Sequence, residues 1–316
     1  MRVFGPVPSR RFGQSLGINV MPSKSCTYSC AYCQIGRTEN PVISRRAFAP
    51  VREVVEEVRE VLERLRRRGV AVDYISFVPD GEPTLDENLG EEIACLAAIG
   101  IPILVITNGS LLWREDVRND LRRADTVSVK VDAASEDVWR ALNRPAEGLS
   151  LPKILDGIRA FAGEFQGRLV TETMLVARMN DSCEEVSRIA RLIGELSPLL
   201  AWIDFPCRPP AENWAVSPAA DALVAAKSAF EAEGVPVEVL TGEGGTEFGF
   251  TGDIVRDILA ISSVHPISEE QMERILRRAS ADRAVVKRLV SEGRLVRIAH
   301  RGTFFYRRRQ ADAPTE

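Results

Sequence analysis

Helical periodicity is clearest at Val51, Val54, Val55, Val58, Val61, Leu62 and Leu65, which recur at spacings of three and four. Charged residues from Glu53 to Arg68 fill the gaps, which predicts an amphipathic helix with a wet face, ended by Gly69. Ahead of it, the apolar run Leu16 to Met21 reads as a strand. Behind it, apolar runs at 74–78, 103–107, 126–131, 169–176, 201–205 and 237–240 read as strands. Helical stretches at 89–98, 115–123, 136–142, 151–165, 184–196 and 219–233 separate them. This alternation predicts parallel β–α–β crossovers in about six strand–helix units. Six units are too few for a closed eightfold barrel. A partial (β/α)6 barrel and a doubly wound open sheet both fit the pattern.

The ends of the chain read differently. Gly5-Pro6-Val7-Pro8-Ser9-Arg10-Arg11-Phe12-Gly13 carries two prolines and two glycines, which argues for an ordered loop. Arg10 and Arg11 there read as solvated, with anion binding as the alternative. Thr241-Gly242-Glu243-Gly244-Gly245-Thr246-Glu247 reads as a linker. Past it, Ile254, Ile258, Leu259 and Ile261 give one apolar helix face. Ser268, with Gln271 three residues on, marks a second helix start. A third helix over 281–291 turns Val285, Val286, Leu289 and Val290 inward. Residues 295–306 read as a hairpin turning at Arg301-Gly302. Three short helices followed by a hairpin resemble a winged helix-turn-helix module. The expected organisation is therefore an α/β partial barrel over residues 1–245 and a small winged-helix-like domain over 246–316 with a basic tail.

Composition narrows the class. A 316-residue chain that is 45% hydrophobic and 27% charged reads as globular with a substantial core. No run approaches the ~18–20 apolar residues of a membrane span, and the N-terminus lacks a signal peptide's apolar region. Six cysteines in so long a chain do not make a secreted disulfide framework, so a reducing cytoplasm is expected. The net charge is −4, but residues 251–316 alone carry +4. That asymmetry leaves open an RNA- or DNA-facing C-terminal segment.

Chemistry concentrates in Cys26-Thr27-Tyr28-Ser29-Cys30-Ala31-Tyr32-Cys33, where three thiols fall within eight residues. Thiolates are soft ligands suited to iron–sulfur clusters or zinc. A structural zinc site wants four ligands, usually as two pairs. Here Cys95, Cys183 and Cys207 are scattered singly, and His265 and His300 lie far along the chain. Three ligands on a four-iron cube would leave one iron open to a cofactor.

Cys-x3-Cys-x-aromatic-Cys, with Tyr32 as the aromatic, resembles the signature of the radical S-adenosylmethionine superfamily. The resemblance implies a 4Fe–4S cluster on Cys26, Cys30 and Cys33, with S-adenosyl-L-methionine chelated by the open iron and cleaved to a 5′-deoxyadenosyl radical. It favours the partial barrel over the doubly wound sheet and implies an oxidoreductase or transferase fed by an electron donor such as flavodoxin or ferredoxin. Pro79-Asp80-Gly81-Glu82-Pro83 resembles the family's Gly-Gly-Glu-Pro, so Gly81 and Glu82 are expected at the methionine ammonium, with Asp80 in place of the first glycine. Thr107-Asn108-Gly109 is similar to a family motif near the cofactor. Lys130, Asp132 and Glu172 sit where polar side chains would point into a barrel. Lys130 and Asp132, two apart on one strand, could also be a structural ion pair. No residue stands out for the catalytic step.

Further motifs resemble a wyosine-synthase-like subgroup: Gly-Pro-Val-Pro-Ser-Arg-Arg, Cys33-Gln34-Ile35-Gly36-Arg37-Thr38, Asn143-Arg144-Pro145 and Arg208-Pro209-Pro210-Ala211-Glu212. The tRNA wyosine synthases also carry a second cluster on upstream cysteines, and no cysteine precedes Cys26. The wyosine reaction itself is not expected. Cys207 reads as a small hydrophobe rather than a hydrogen donor or second-cluster ligand. Cys95 and Cys183 read as structural, and both histidines as remote from the barrel. Trp202, Phe304, Phe305 and Tyr306 read as packing. A second functional class is a nucleic-acid-binding regulator whose barrel senses iron or redox state.

Overall fold

The computed structural model describes residues 2–21, 24–241 and 252–309. Its main sheet has eight strands in strictly sequential order. These are β1 (Val3–Ser9), β2 (Gly13–Ile18), β3 (Tyr74–Phe77), β4 (Ile103–Thr107), β5 (Thr126–Lys130), β6 (Arg168–Met174), β7 (Leu200–Asp204) and β8 (Val237–Val239). From β2 to β8 every neighbouring pair is parallel. The crossovers are α1 (Val51–Arg67), α2 (Leu89–Ala97), α3 (Glu115–Leu121), α4 (Glu136–Asn143) with α5 (Leu151–Glu164), α6 (Cys183–Leu196) and α7 (Ala220–Ala232). That makes six strand–helix units and a last strand. Sequential order is what a curling barrel requires, whereas a doubly wound sheet reverses order at a switch point. Among the described residues β1 and β8 are the two edges and do not pair, so the parallel sheet is a partial barrel.

The expected N-terminal loop is instead strand β1, antiparallel to β2. Pro6 and Pro8 are compatible with a strand because β1 is an edge, where missing amide donors cost nothing. The register shifts between Phe4 and Val7, beside Gly5. The first parallel strand also begins at Gly13, earlier than Leu16. Gly17 is needed there because a Cβ would enter the ring of Phe4.

Strand alternation divides the barrel wall. Leu16, Ile18, Ile75, Phe77, Ile103, Val105, Val127, Val129, Ala201 and Ile203 join α1–α7 in one large core. The opposite face looks into the barrel. Its floor is filled by Phe12 packed with Leu104, Val170, Trp202 and Leu240, with Phe12 edge-on to both Tyr74 and Trp202. The same inner face also carries the polar side chains Ser15, Ser76, Ser128, Lys130, Glu172 and Asp204, with Lys130 and Asp204 at the C-terminal ends of their strands.

The linker expected at 241–247 lies outside the described residues beyond Thr241. Past it come α8 (Ile254–Val264), β9 (Ile267–Ser268), α9 (Glu269–Arg278), α10 (Ala284–Ser291), β10 (Leu295–His300) and β11 (Thr303–Arg308). Ser268 and Gln271 form the expected capping box. The hairpin turns at Arg301-Gly302, both with positive φ, as a two-residue hairpin loop needs. This unit has its own core, and Val7 of β1 packs into it. Among the described residues no helix is long and apolar enough to cross a membrane.

Glu92 on α2 is fully buried, and among the described residues neither carboxylate oxygen is hydrogen-bonded. Burial, and then the charge of Asp86, raise its pKa to about 8. A carboxyl whose folded pKa lies above its unfolded one costs stability as pH rises from the unfolded value to the folded one. Between pH 6 and pH 8 this group should cost about 2 kcal/mol. Urea unfolding should show that loss in the parent and not in Glu92→Gln; equal losses in both would refute the assignment.

Candidate functional site

The thiol loop lies beyond the C-terminal end of β2 and is pinned from several sides. Ser25 forms a parallel bridge with Gly81, past the end of β3. Ser25 N–H donates to Asp80 O at 3.0 Å, and Glu82 N–H donates to Ser25 O at 3.0 Å. A Cβ on residue 81 would fall inside the carbonyl oxygen of Ser25, so this contact needs glycine. On the other side Ser29 N–H bonds to Asn143 O and Ala31 N–H to Leu142 O, both at the end of α4. Glu212 N–H reaches Ala31 O at 2.9 Å. Three separate motifs therefore meet at the loop. Glu212 accepts Arg37 Nε at 2.7 Å and Nη2 at 2.9 Å, and also pairs with Arg144. These contacts hold the Glu212 carboxyl below its ordinary range, Arg37 first.

Each sulfur has a donor in reach. Tyr28 N–H and Asn108 Nδ2 approach Cys26 Sγ at 3.5 and 3.6 Å. Asn143 Nδ2 approaches Cys30 Sγ at 3.5 Å, and Lys24 Nζ approaches Cys33 Sγ at 3.2 Å. Burial raises the Cys26 thiol well above the usual range and Cys30 to about 11. These thiols become thiolates when a cation compensates that burial. Among the described residues no three His, Cys, Asp or Glu side chains converge as ligands of one ion. A cubane differs from a single ion because each thiolate takes its own iron. Three half-buried soft donors, each with a polar hydrogen aimed at it, fit a cluster held through three corners.

The remaining expected residues surround this loop. Glu82 is buried and accepts Thr84 N–H at 3.0 Å, Thr84 Oγ1 and Thr107 Oγ1 at 2.6 Å, and Asn108 N–H at 2.7 Å. Burial raises its pKa despite those donors. Its carboxylate thus ties the end of β4 to that of β3, while Asn108 Nδ2 reaches Thr27 Oγ1 at 2.8 Å. Lys130 bonds to Glu172 across the β5–β6 pair at 3.0 Å and stands 4.0 Å from Asp132. The main ion pair is therefore cross-strand, not within one strand. Tyr32 Oη donates to Asp132, and Asn143 Nδ2 donates to the same carboxylate at 2.9 Å. Burial, then Asp132, raises the Tyr32 phenol well above its usual range.

Several residues differ from their sequence reading. Arg10 is not solvated: it grips Asp204 with Nη1 at 3.1 Å and Nη2 at 2.7 Å. Arg11 turns into the barrel against Glu172. His265 is half-buried beside Arg208 and Arg10 rather than remote from the barrel. Cys95 and Cys183 are exposed, and Cys207 is half-buried. Trp202, Phe305 and Tyr306 are buried packing groups as expected, while Phe304 is partly exposed under the Arg297 guanidinium. Sequence reasoning gave Asn143 no role, although it touches both Cys30 and Asp132. Its signal was the Asn-Arg-Pro step, where Arg144 takes φ 49°.

Gly81→Ala should displace Ser25 and loosen Cys26. Peptide-level mass spectrometry after brief alkylation should show faster Cys26 modification than in the parent, with a lower Tm. Unchanged labelling and Tm would refute the contact's role.

Comparison with known proteins follows the same lines. The UPF0026 protein of Methanocaldococcus jannaschii is 42% identical over 305 residues, spanning 96% of this chain and 94% of its own. Among solved structures, a radical SAM methyltransferase from Sphaerobacter thermophilus has a TM-score of 0.51 at 19% identity, covering 71% of this chain and 66% of its own. TYW1 with a lysine-pyruvate adduct has a TM-score of 0.52 at 17% identity, covering 70% and 74%. At such identities these two share the fold alone, so a wyosine-synthase subgroup is not established. The model of the Radical SAM superfamily matches residues 20–193, which hold the thiol loop and the strand ends around it, and the chain belongs to that superfamily.

Proposed function

We propose that this protein is a radical S-adenosylmethionine enzyme in which Cys26, Cys30 and Cys33 hold a 4Fe–4S cluster and S-adenosylmethionine takes the iron they leave open. The observation that carries this reading is the loop itself, with three thiols fixed between the ends of β2, β3 and α4 and a donor directed at each sulfur. When bound, the cluster and cofactor supply a 5′-deoxyadenosyl radical for hydrogen abstraction, driven by one electron from a donor such as flavodoxin or ferredoxin.

The chain's own residues prepare that place. Gly81 lets the loop lie against the β3 end. Glu82, Thr107 and Asn108 lock two strand ends under it. Asp132 holds Tyr32 and Asn143 over the loop, and Lys130 with Glu172 sets charge at the barrel rim. In this reading Tyr32, Gly81, Glu82, Thr107, Asn108, Lys130, Asp132 and Glu172 are the residues that would meet the cofactor. Glu82 would hold the methionine ammonium while its Oε2 accepts Asn108 N–H and its Oε1 accepts Thr84 and Thr107.

Residues 252–309 act, in this reading, as a winged-helix-like module docked on the barrel. Gln34 Nε2 reaches Val264 O at 3.5 Å, and Arg301 Nη2 reaches Ser217 Oγ at 2.8 Å. Of the arginines on which an RNA or DNA reading rests, Arg294 pairs with Glu292, Arg297 faces Glu269, and Arg307 lies against Gly36. Arg308 and Arg309 stay exposed. The enzyme reading rests on the thiol loop, and the exposed arginines leave RNA or DNA open as a partner of the module.

Anaerobic reconstitution should give about four irons per chain and, with reductant and S-adenosylmethionine, release 5′-deoxyadenosine. Cys30→Ala should lose most of that iron and the product. A variant that bound as much iron as the parent would overturn the assignment.

A further inference from the structure

The barrel interior holds a cavity of about 140 Å³ between the inner faces of β2–β4 and the C-terminal module. That is close to the volume of about 150 Å³ that accepts a benzene-sized molecule in a protein core. Its walls differ in kind. Phe12, Val78, Leu104 and Ile106 give an apolar side. Arg10, Arg11, Gln34, Arg208, His265 and Gln271 give a polar one.

The cationic wall is crowded. Arg10 and Arg208 lie close enough to Arg11 to disfavour its charge, and burial is the larger cause lowering its pKa to about 10. Of the described acids, Asp204 is gripped by Arg10, and Glu172 is shared between Arg11 and Lys130. Among the described residues Arg11 Nε is buried with no hydrogen-bond partner. A buried guanidinium donor with nothing to bond to costs free energy, and an oxyanion in the cavity would remove that cost. Carboxylates and phosphates match the planar guanidinium fork. His265, kept neutral by burial and by the nearby Arg208 and Arg10, closes the cavity from the C-terminal side and can add a neutral hydrogen bond.

We propose that this cavity binds the substrate of the enzyme, and that the substrate is a small molecule carrying an oxyanion at Arg11 and Arg208 and a short hydrocarbon part against Val78, Leu104 and Ile106. This rests on the enzyme reading above and adds the substrate class. Glu172 connects the two places, since it touches both Arg11 and Lys130. The hydrocarbon part supplies the C–H bonds a radical would attack, and the oxyanion fixes which of them faces the cofactor. Residues of α8 and α9 complete the wall, so the C-terminal module is part of the substrate site.

The test is calorimetric titration of the anaerobically purified full chain, without reductant, using butyrate and inorganic phosphate as probes in low-chloride buffer. Saturable binding of at least one probe is expected. Arg11→Gln and Arg208→Gln should each weaken it tenfold or more, and Arg59→Gln, on the exposed face of α1, should bind as the parent does. Arg11→Lys, which keeps a charge, should recover part of the loss if Arg11→Gln does not fold. No saturable binding of either probe to the parent, or parent-like binding by a folded Arg11→Gln or Arg208→Gln, would overturn the proposal. Release of 5′-deoxyadenosine by a protein that binds neither probe would remove this proposal and leave the enzyme reading standing. Probe binding without 5′-deoxyadenosine would keep the anion site and count against the radical chemistry.

Discussion

The backbone bridge between Ser25 and Gly81 is the constraint on which the candidate site depends. It is made of main-chain groups, so it fixes Cys26 without using a side chain the chemistry needs. It also requires residue 81 to lack a Cβ. The loop leaves that anchor and is caught again at the end of α4 and at Glu212. Positioning of this kind sets where three sulfurs lie before anything is bound. A site held by rigid strand ends loses less entropy on binding than one built on a free loop.

The second organising feature is the change of character along the barrel interior. Aromatic and aliphatic side chains fill the floor around Phe12, so the barrel is packed rather than hollow below. Toward the C-terminal strand ends carboxylates and cations join them. Buried charges survive there only because each is paired or bonded. The turn between β1 and β2 supplies two of the cations, Arg10 and Arg11, and sends them to Asp204 and Glu172 on the far strands. One short turn thus plugs the floor with Phe12 and furnishes cations to the polar wall.

Local signals in the sequence carried most of the fold. Periodicity at three and four located α1, and β-run alternation located β3 to β7 within a residue or two, because those patterns follow directly from burial on one face. Strand β1 was not legible: its prolines and glycines read as a loop, and only its place at the sheet edge makes them acceptable. The thiol triad was legible because its spacing is local. The roles of Arg10, Arg11 and Asn143 were not, because their partners lie far along the chain. Arg10 meets Asp204, 194 residues away, and Asn143 meets Cys30 across 113. His265 was misplaced for the same reason, since nothing in its own helix shows that α8 docks against β1. Cys95 and Cys183 read as structural because free cysteines are usually buried, and here they are not.

The central claim is that three protein thiols leave one corner of a cubane for the cofactor. Mössbauer spectroscopy of the protein reconstituted with iron-57, before and after addition of S-adenosylmethionine, tests it most directly. One iron in about four should change its isomer shift on addition while the others stay as they were. A spectrum that the cofactor leaves unchanged, or iron bound in equal amount after all three cysteines are replaced by alanine, would contradict it.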